Sequence, residues 1–243
     1  TAPDLLTLTV AGGARHGRRA QMAVNGSYAA AVGDIDANGH DDVYWYSPTT
    51  GLIQAWMFEG GGWATSRTVG AAARGGRVAV GDFDGNWRDD LLVYVPGRTE
   101  IWLASSTGGF VRLPIPVNGA GYRPVVGDFD GNGVSDIAWY RPGGQRTTMW
   151  LWQRGRRWLD RPFGSVAGTY RTVVVDTDGD GRDDLWFADA GGTNLWLGRP
   201  SGWVRMPAGL STPAAGVLHG VDGRPRATVI VGWGWAIRIR DHV

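Results

Sequence analysis

Residues 127–140 read GDFDGNGVSDIAWY, and this stretch decides the fold. Asp128, Asp130 and Asn132 alternate through a glycine-rich turn that Asp136 closes, and the apolar run IAWY behind it is strand-like. The pattern also stands at 31–46 (AVGDIDANGHDDVYWY), 79–94 (AVGDFDGNWRDDLLVY) and 174–188 (VVDTDGDGRDDLWFA). The leading aspartates Asp34, Asp82, Asp128 and Asp176 are 48, 46 and 48 residues apart, and a worn fifth copy, LHGVDGRPRATVIVG, begins at Leu218. Between the motifs each copy passes through a Trp-bearing segment, a Gly-rich turn and an aromatic-led segment. In the first copy the candidate strands are 29–32, 43–47, 52–58 and 63–69.

Four short strands in about 46 residues, without helical periodicity, make one blade of a β-propeller. A blade cannot bury both its faces alone, so blades must stack radially. The expectation is a single all-β domain over 1–243, a five-bladed β-propeller with four-stranded blades near 29–70, 77–116, 123–164, 171–208 and 214–240. The last copy lacks an outermost strand. RRAQMAVNGSYAAAVGD, near the N-terminus, resembles VRLPIPVNGAGYRPVVGD, the fourth strand of one unit leading into the next. Residues 18–25 are therefore expected to close the ring as an N-terminal strand. The stretch Leu5–Val10 has no assigned place.

The loop D-x-D-x-[DN]-G-x-x-D suits calcium, which takes six to eight oxygen ligands in flexible geometry. Side chains at positions one, three and five converge on a sharp turn, position seven adds a carbonyl, and the acid at position nine completes the sphere. Zinc would want His or Cys, and Mg2+ demands a tighter octahedron. The expected ligands are Asp34, Asp36, Asn38, His40 and Asp42; Asp82, Asp84, Asn86, Arg88 and Asp90; Asp128, Asp130, Asn132, Val134 and Asp136; and Asp176, Asp178, Asp180, Arg182 and Asp184. Four such loops in register imply about four calcium ions in a structural role. The fourth loop, with four carboxylates, is expected to bind tightest. The second is expected to bind weakest, because Trp87 replaces the turn glycine. The fifth copy keeps only Asp222 and reads as metal-free.

These motifs resemble FG-GAP/VCBS repeats, the blades of integrin α-subunit heads and of many secreted microbial proteins. The resemblance covers about residues 29–240 and implies a propeller with calcium in its blade loops, held by the matching residues named above. Integrin propellers usually have seven blades, so their function does not transfer simply to a chain with material for five. In size the chain resembles five-bladed lectins of the tachylectin type.

The 243 residues contain no Cys, which excludes disulfides, thiol catalysis and zinc–thiolate sites. No apolar run reaches the ~18–20 residues of a membrane helix. The formal net charge of +1 offers nucleic acid no overall attraction, although all 24 basic residues are Arg. The N-terminus TAPDLLTLTV lacks signal-peptide features, and its small polar start suits a processed, secreted chain.

Fourteen Trp point first to a non-catalytic, lectin-like carbohydrate-binding module. Trp56, Trp102, Trp150 and Trp196 recur in register and suit inter-blade core. Trp63, Phe110, Trp158 and Trp203 open the fourth strands and are the candidate ligand platforms, while Trp87, Trp152 and Trp233 break the pattern. The alternatives are a protein-interaction or adhesion domain and, second, a polysaccharide lyase. For a lyase the chain offers four His, of which His219 is the one near the axis, and no catalytic set is assigned. Bound calcium would make the protein clearly basic, so a glycan partner is expected to be anionic or to lie in an anionic cell-surface matrix.

Overall fold

The computed structural model describes residues 4–11, 18–24, 27–59, 63–115, 120–143, 146–153, 157–166, 168–189, 192–200, 202–206, 216–219, 225–229 and 239–240. The chain enters as a hairpin of β1 (Asp4–Ala11) and β2 (Arg18–Val24), paired antiparallel from Asp4 opposite Val24 to Val10 opposite Arg18. Four antiparallel four-stranded sheets follow, and they are the blades of a β-propeller. Blade one is β3 (Ala29–Gly33), β4 (Asp42–Tyr46), β5 (Leu52–Phe58) and β6 (Trp63–Ala71). Blade two is β7 (Arg77–Gly81), β8 (Asp90–Tyr94), β9 (Thr99–Ala104) and β10 (Phe110–Ile115). Blade three is β11 (Arg123–Gly127), β12 (Asp136–Tyr140), β13 (Arg146–Gln153) and β14 (Arg157–Ser165). Blade four is β15 (Arg171–Val175), β16 (Asp184–Asp189), β17 (Gly192–Arg199) and β18 (Gly202–Arg205). No helix occurs among the described residues.

The second strand of each blade explains the stacking. β4, β8 and β12 are buried at every residue, and in β8 and β12 one face meets the preceding blade and the other meets the next. Leu91 and Val93 pack with Tyr44, Tyr46 and Ile53 of blade one, whereas Leu92 and Tyr94 pack with Ile137 and Trp139 of blade three. Ala138 and Tyr140 join Leu185 and Phe187 of blade four in the next cluster. The third strand of blade one, β5, alternates instead, with Ile53, Ala55 and Met57 turned into the core of the first interface. Burying a side chain of this size stabilises by ~1.5–3 kcal/mol, so the interfaces between blades carry much of the fold.

Tyrosines at the ends of the second strands fasten the links between blades. Tyr46 Oη donates to the Ala73 carbonyl at 2.7 Å and accepts from Gly76 N–H at 2.9 Å. Tyr140 does the same with Gly168 O at 3.0 Å and Tyr170 N–H at 2.9 Å, and Tyr94 accepts from Tyr122 N–H at 3.3 Å. Blade four has Ala188 at this place and lacks the tie.

The expected fifth blade is corrected here: among the described residues the complete blades number four. The fifth copy contributes a two-stranded sheet, β19 (Gly216–His219) with β20 (Pro225–Val229), and β19 lies beside β15 as the next inner strand. Its register shifts between Leu218 and His219, opposite Pro225, which has no N–H to give the ladder. Among the described residues the N-terminal strand paired with the last copy is β1, which had no expected place: it runs parallel to β21 (Ile239–Arg240), and β2 lies outside β1. A hairpin closes a short loop and so meets a small entropic cost, and β2 accordingly takes its local partner. The stretch 220–224 and Trp233 lie outside the described residues.

Candidate metal centre

Each blade loop is folded around the carboxylate at position one. In loop three, Asp128 Oδ1 accepts the N–H groups of Gly131 (2.8 Å) and Asn132 (3.1 Å), and Oδ2 accepts that of Gly133 (2.9 Å). Asp82 holds Gly85, Asn86 and Trp87 in the same way, Asp176 holds Gly179, Asp180 and Gly181, and Asp34 holds Asn38 and Gly39. Wrapping three successive amides around one side chain forces left-handed backbone at positions four and six. Gly39, Gly133 and Gly181 meet this at position six with φ of 86°, 81° and 83°, and Trp87 meets it at 69°.

Position five then orients position seven. Asn38 Oδ1, Asn86 Oδ1, Asn132 Oδ1 and Asp180 Oδ1 accept the N–H groups of His40, Arg88, Val134 and Arg182 at 2.8–2.9 Å. His40 also sets its ring edge-on to Phe58, 5.5 Å between centroids.

Position nine is a buried staple. Asp42 accepts from Ile35 and Phe58 N–H, Asp90 from Phe83 and Ala104, Asp136 from Phe129 and Trp152, and Asp184 from Thr177 and Gly198, at 2.7–3.1 Å. One oxygen thus holds the loop entry and the other the end of the third strand. Each oxygen keeps a second lone pair for a cation.

The carboxylates of Asp34, Asp36 and Asp42 offer oxygens all within 4.8 Å of one another, as do Asp82, Asp84 and Asp90, and Asp128, Asp130 and Asp136. In the fourth loop the trio within that distance is Asp176, Asp178 and Asp180. Burial, with the neighbouring acids adding to it, raises Asp42 to about 7 and Asp90 to about 9, against the pull of their backbone amides. For Asp136, burial and then the charge of Asp130 raise it to about 8. Asp82, Asp128 and Asp184 are also raised, burial being the first cause in each. Clustered, buried carboxylates that resist their own charge are stabilised by a cation placed among them. The donor set is all oxygen, which fits a hard divalent ion and not zinc.

Sequence reasoning missed position eight. Asp89 N–H donates to the Asp34 carbonyl at 2.7 Å while its Oδ2 accepts Asp34 N–H at 2.7 Å, so loop two clamps the backbone of loop one. Asp183 clamps Asp128 identically, at 2.8 Å each way, and Ser135 N–H donates to Asp82 O at 2.7 Å. The signal was present as the paired acids at 41–42, 89–90 and 183–184, but the partner lies about one blade away in sequence.

Trp102, Trp150 and Trp196 pack in the clusters between blades, whereas the Trp56 ring lies against Trp45 of its own blade. Trp102 is fully buried beneath Arg112, whose guanidinium lies 3.7 Å from the ring centroid, and Trp56, Trp150 and Trp196 are half-buried. Three of the four candidate ligand platforms are also half-buried. Phe110 packs on Trp102, Trp158 on Trp152 at 4.3 Å between centroids, and Trp203 on Phe163 at 4.9 Å. The Trp63 side chain lies outside the described residues. Trp87 differs from these, being 53% exposed.

Residues 82–139, from loop two to the second strand of blade three, match the FG-GAP-like repeat family. No curated protein matches the chain. Among solved structures the fold is similar to that of an Agrocybe aegerita lectin described for recognition of non-reducing terminal N-acetylglucosamine, with TM-score 0.63 and 14% identity over 86% of this chain and 62% of the lectin. The chain thus spans less than two thirds of that lectin's length. A Photorhabdus luminescens Tc holotoxin pore aligns with TM-score 0.49 and 17% identity, over 85% of this chain and 11% of that one.

Proposed function

We propose that the protein is a secreted, calcium-stabilised propeller that binds carbohydrate through its loop face without catalysing a reaction. Calcium would be held by the oxygens at positions one, three, five and nine, with the carbonyls of His40, Arg88, Val134 and Arg182 as further ligands. Its contribution is to neutralise carboxylates that the blades bury. Extracellular calcium modules work at dissociation constants of ~10⁻⁴–10⁻³ M, which the high calcium of extracellular fluid fills.

Trp87 carries the carbohydrate reading. Three sister loops place Gly at its position, and left-handed backbone costs a side-chain-bearing residue roughly 1–2 kcal/mol. The ring recovers little of this by packing, since it is 53% exposed. An exposed aromatic face kept at a strained position suits stacking on the C–H face of a sugar ring. The lectin-like fold supports the same reading. Each bound Ca2+ adds two charges to a chain of formal net charge +1, so acidic glycans are the favoured class.

The test is a glycan array in calcium, carrying N-acetylglucosamine-terminated and acidic glycans, with wild type and Trp87→Gly compared. Wild type is expected to be retained. The variant is expected to bind about tenfold more weakly, equivalent to ~1.4 kcal/mol, while melting no lower than wild type. Absence of retention on any glycan would overturn carbohydrate binding. Equal retention of both proteins would place the sugar away from Trp87.

A further inference from the structure

We infer that Arg199 is the resident cation of the fourth loop and withholds that loop from calcium concentrations that fill its sisters. The inference rests on the calcium reading of the other loops. It begins with position five. In loops one to three this residue is Asn, and its Nδ2 donates to a carbonyl near the end of the third strand: Asn38 to Phe58 O at 2.9 Å, Asn86 to Ala104 O at 3.0 Å, and Asn132 to Trp152 O at 2.9 Å. The corresponding carbonyl in blade four is Gly198 O, and Asp180, a carboxylate, has no N–H to offer it.

Arg199 fills the gap. Its Nη1 donates to Gly198 O at 2.9 Å and to Asp180 Oδ2 at 3.0 Å, while Nη2 donates to Asp178 Oδ2. One guanidinium therefore makes the contact that Asn makes elsewhere and also bridges the acids at positions three and five. At the place of Arg199 the sister blades carry Glu59, Ser105 and Gln153, none of them cationic. Gln153 reaches position three as well, its Nε2 donating to Asp130 Oδ2 at 3.1 Å, but brings no charge. Asp180 and Arg199 together are neutral, as Asn is, so the additional acid of loop four adds no net attraction.

The guanidinium holds Oδ2 of Asp178 and of Asp180 and leaves the Oδ1 of each, so a calcium ion entering the loop would sit beside a positive charge that no sister loop carries at this place. That charge opposes the ion unless Arg199 moves away. The side chain is 30% exposed and can swing out, so the loop is weakened without being destroyed. This reverses the ranking expected from ligand count, which put the fourth loop first.

The probe is calcium alone, titrated calorimetrically into chelator-stripped full-length protein. Arg199→Gln, which keeps an amide able to reach Gly198 O, is expected to take up one more equivalent than wild type over the range that saturates wild type. Its melting temperature should also rise further on calcium addition. Arg199→Ala serves as a second variant, with the same expected gain of one equivalent. Equal stoichiometry and equal calcium response in wild type and both variants, with calcium bound, would overturn the role of Arg199 alone. Absence of calcium uptake by all three proteins would overturn the calcium reading and this inference with it.

Discussion

Replacing Asp90 by Ala removes the staple of blade two, and the cost follows from two hydrogen bonds. Asp90 is fully buried and accepts Phe83 N–H at 2.8 Å and Ala104 N–H at 2.7 Å. Alanine leaves both amides buried without an acceptor, at ~1–3 kcal/mol each. The expected loss is therefore about 2–6 kcal/mol, a large share of the ~5–15 kcal/mol that a domain possesses. Urea unfolding followed by Trp fluorescence in EDTA isolates this cost from any metal effect. Asp90→Asn sharpens the test. It keeps one acceptor, and burial already holds the native carboxyl near 9, so in EDTA it should cost less than Ala. In calcium, where the negative charge is wanted, the Asn variant should lose the calcium-dependent increment of its loop. A loss below ~1 kcal/mol for Asp90→Ala in EDTA would refute the staple, since two unmet buried donors cannot cost so little.

Gly33→Ala should destabilise by ~1–3 kcal/mol, because the new Cβ would collide with Val80 and with the Asp89 carboxylate that clamps loop one; an unchanged urea midpoint would count against the clamp. The calcium-free protein should also lose stability as pH rises. Asp42, Asp136 and Asp90 are raised to about 7, 8 and 9 from an ordinary 3.8, so the folded state holds protons that the unfolded chain releases. That contribution is complete below about pH 4 and is lost as pH climbs through 7–9. Melting temperatures in EDTA should fall across this window, and saturating calcium, which replaces those protons, should remove the fall. Identical pH profiles with and without calcium would contradict this.

Much of the blade was legible because the repeat averages out local ambiguity. The expected strands 29–32, 43–47, 52–58 and 63–69 became Ala29–Gly33, Asp42–Tyr46, Leu52–Phe58 and Trp63–Ala71. The carboxylates at positions one, three and nine meet within 4.8 Å in loops one to three, while in loop four those at one, three and five do so. Contacts that cross from one unit to another stayed hidden. The Asp89 and Asp183 clamps join residues 55 apart, and no local pattern separates them from solvated acids. Arg199 was hidden differently: it lies 19 residues beyond Asp180, on another strand, and only the register of β16 against β17 brings it over the loop. The fifth copy misled because its spacing persists after its chemistry has gone. Thr228 stands where a stapling Asp would, and Pro225 interrupts the hairpin.

The central claim is that the acids buried in the blade loops are stabilised by calcium. Thermal melting of the full-length protein, monitored by circular dichroism in EDTA and in a calcium series, tests it most directly. Millimolar calcium is about 1–10 times the dissociation constants proposed above and adds ~0.4–1.4 kcal/mol per site, so with several sites filled the melting temperature should rise by several degrees and continue rising with log calcium. Superimposable melts in EDTA and in millimolar calcium would contradict the account.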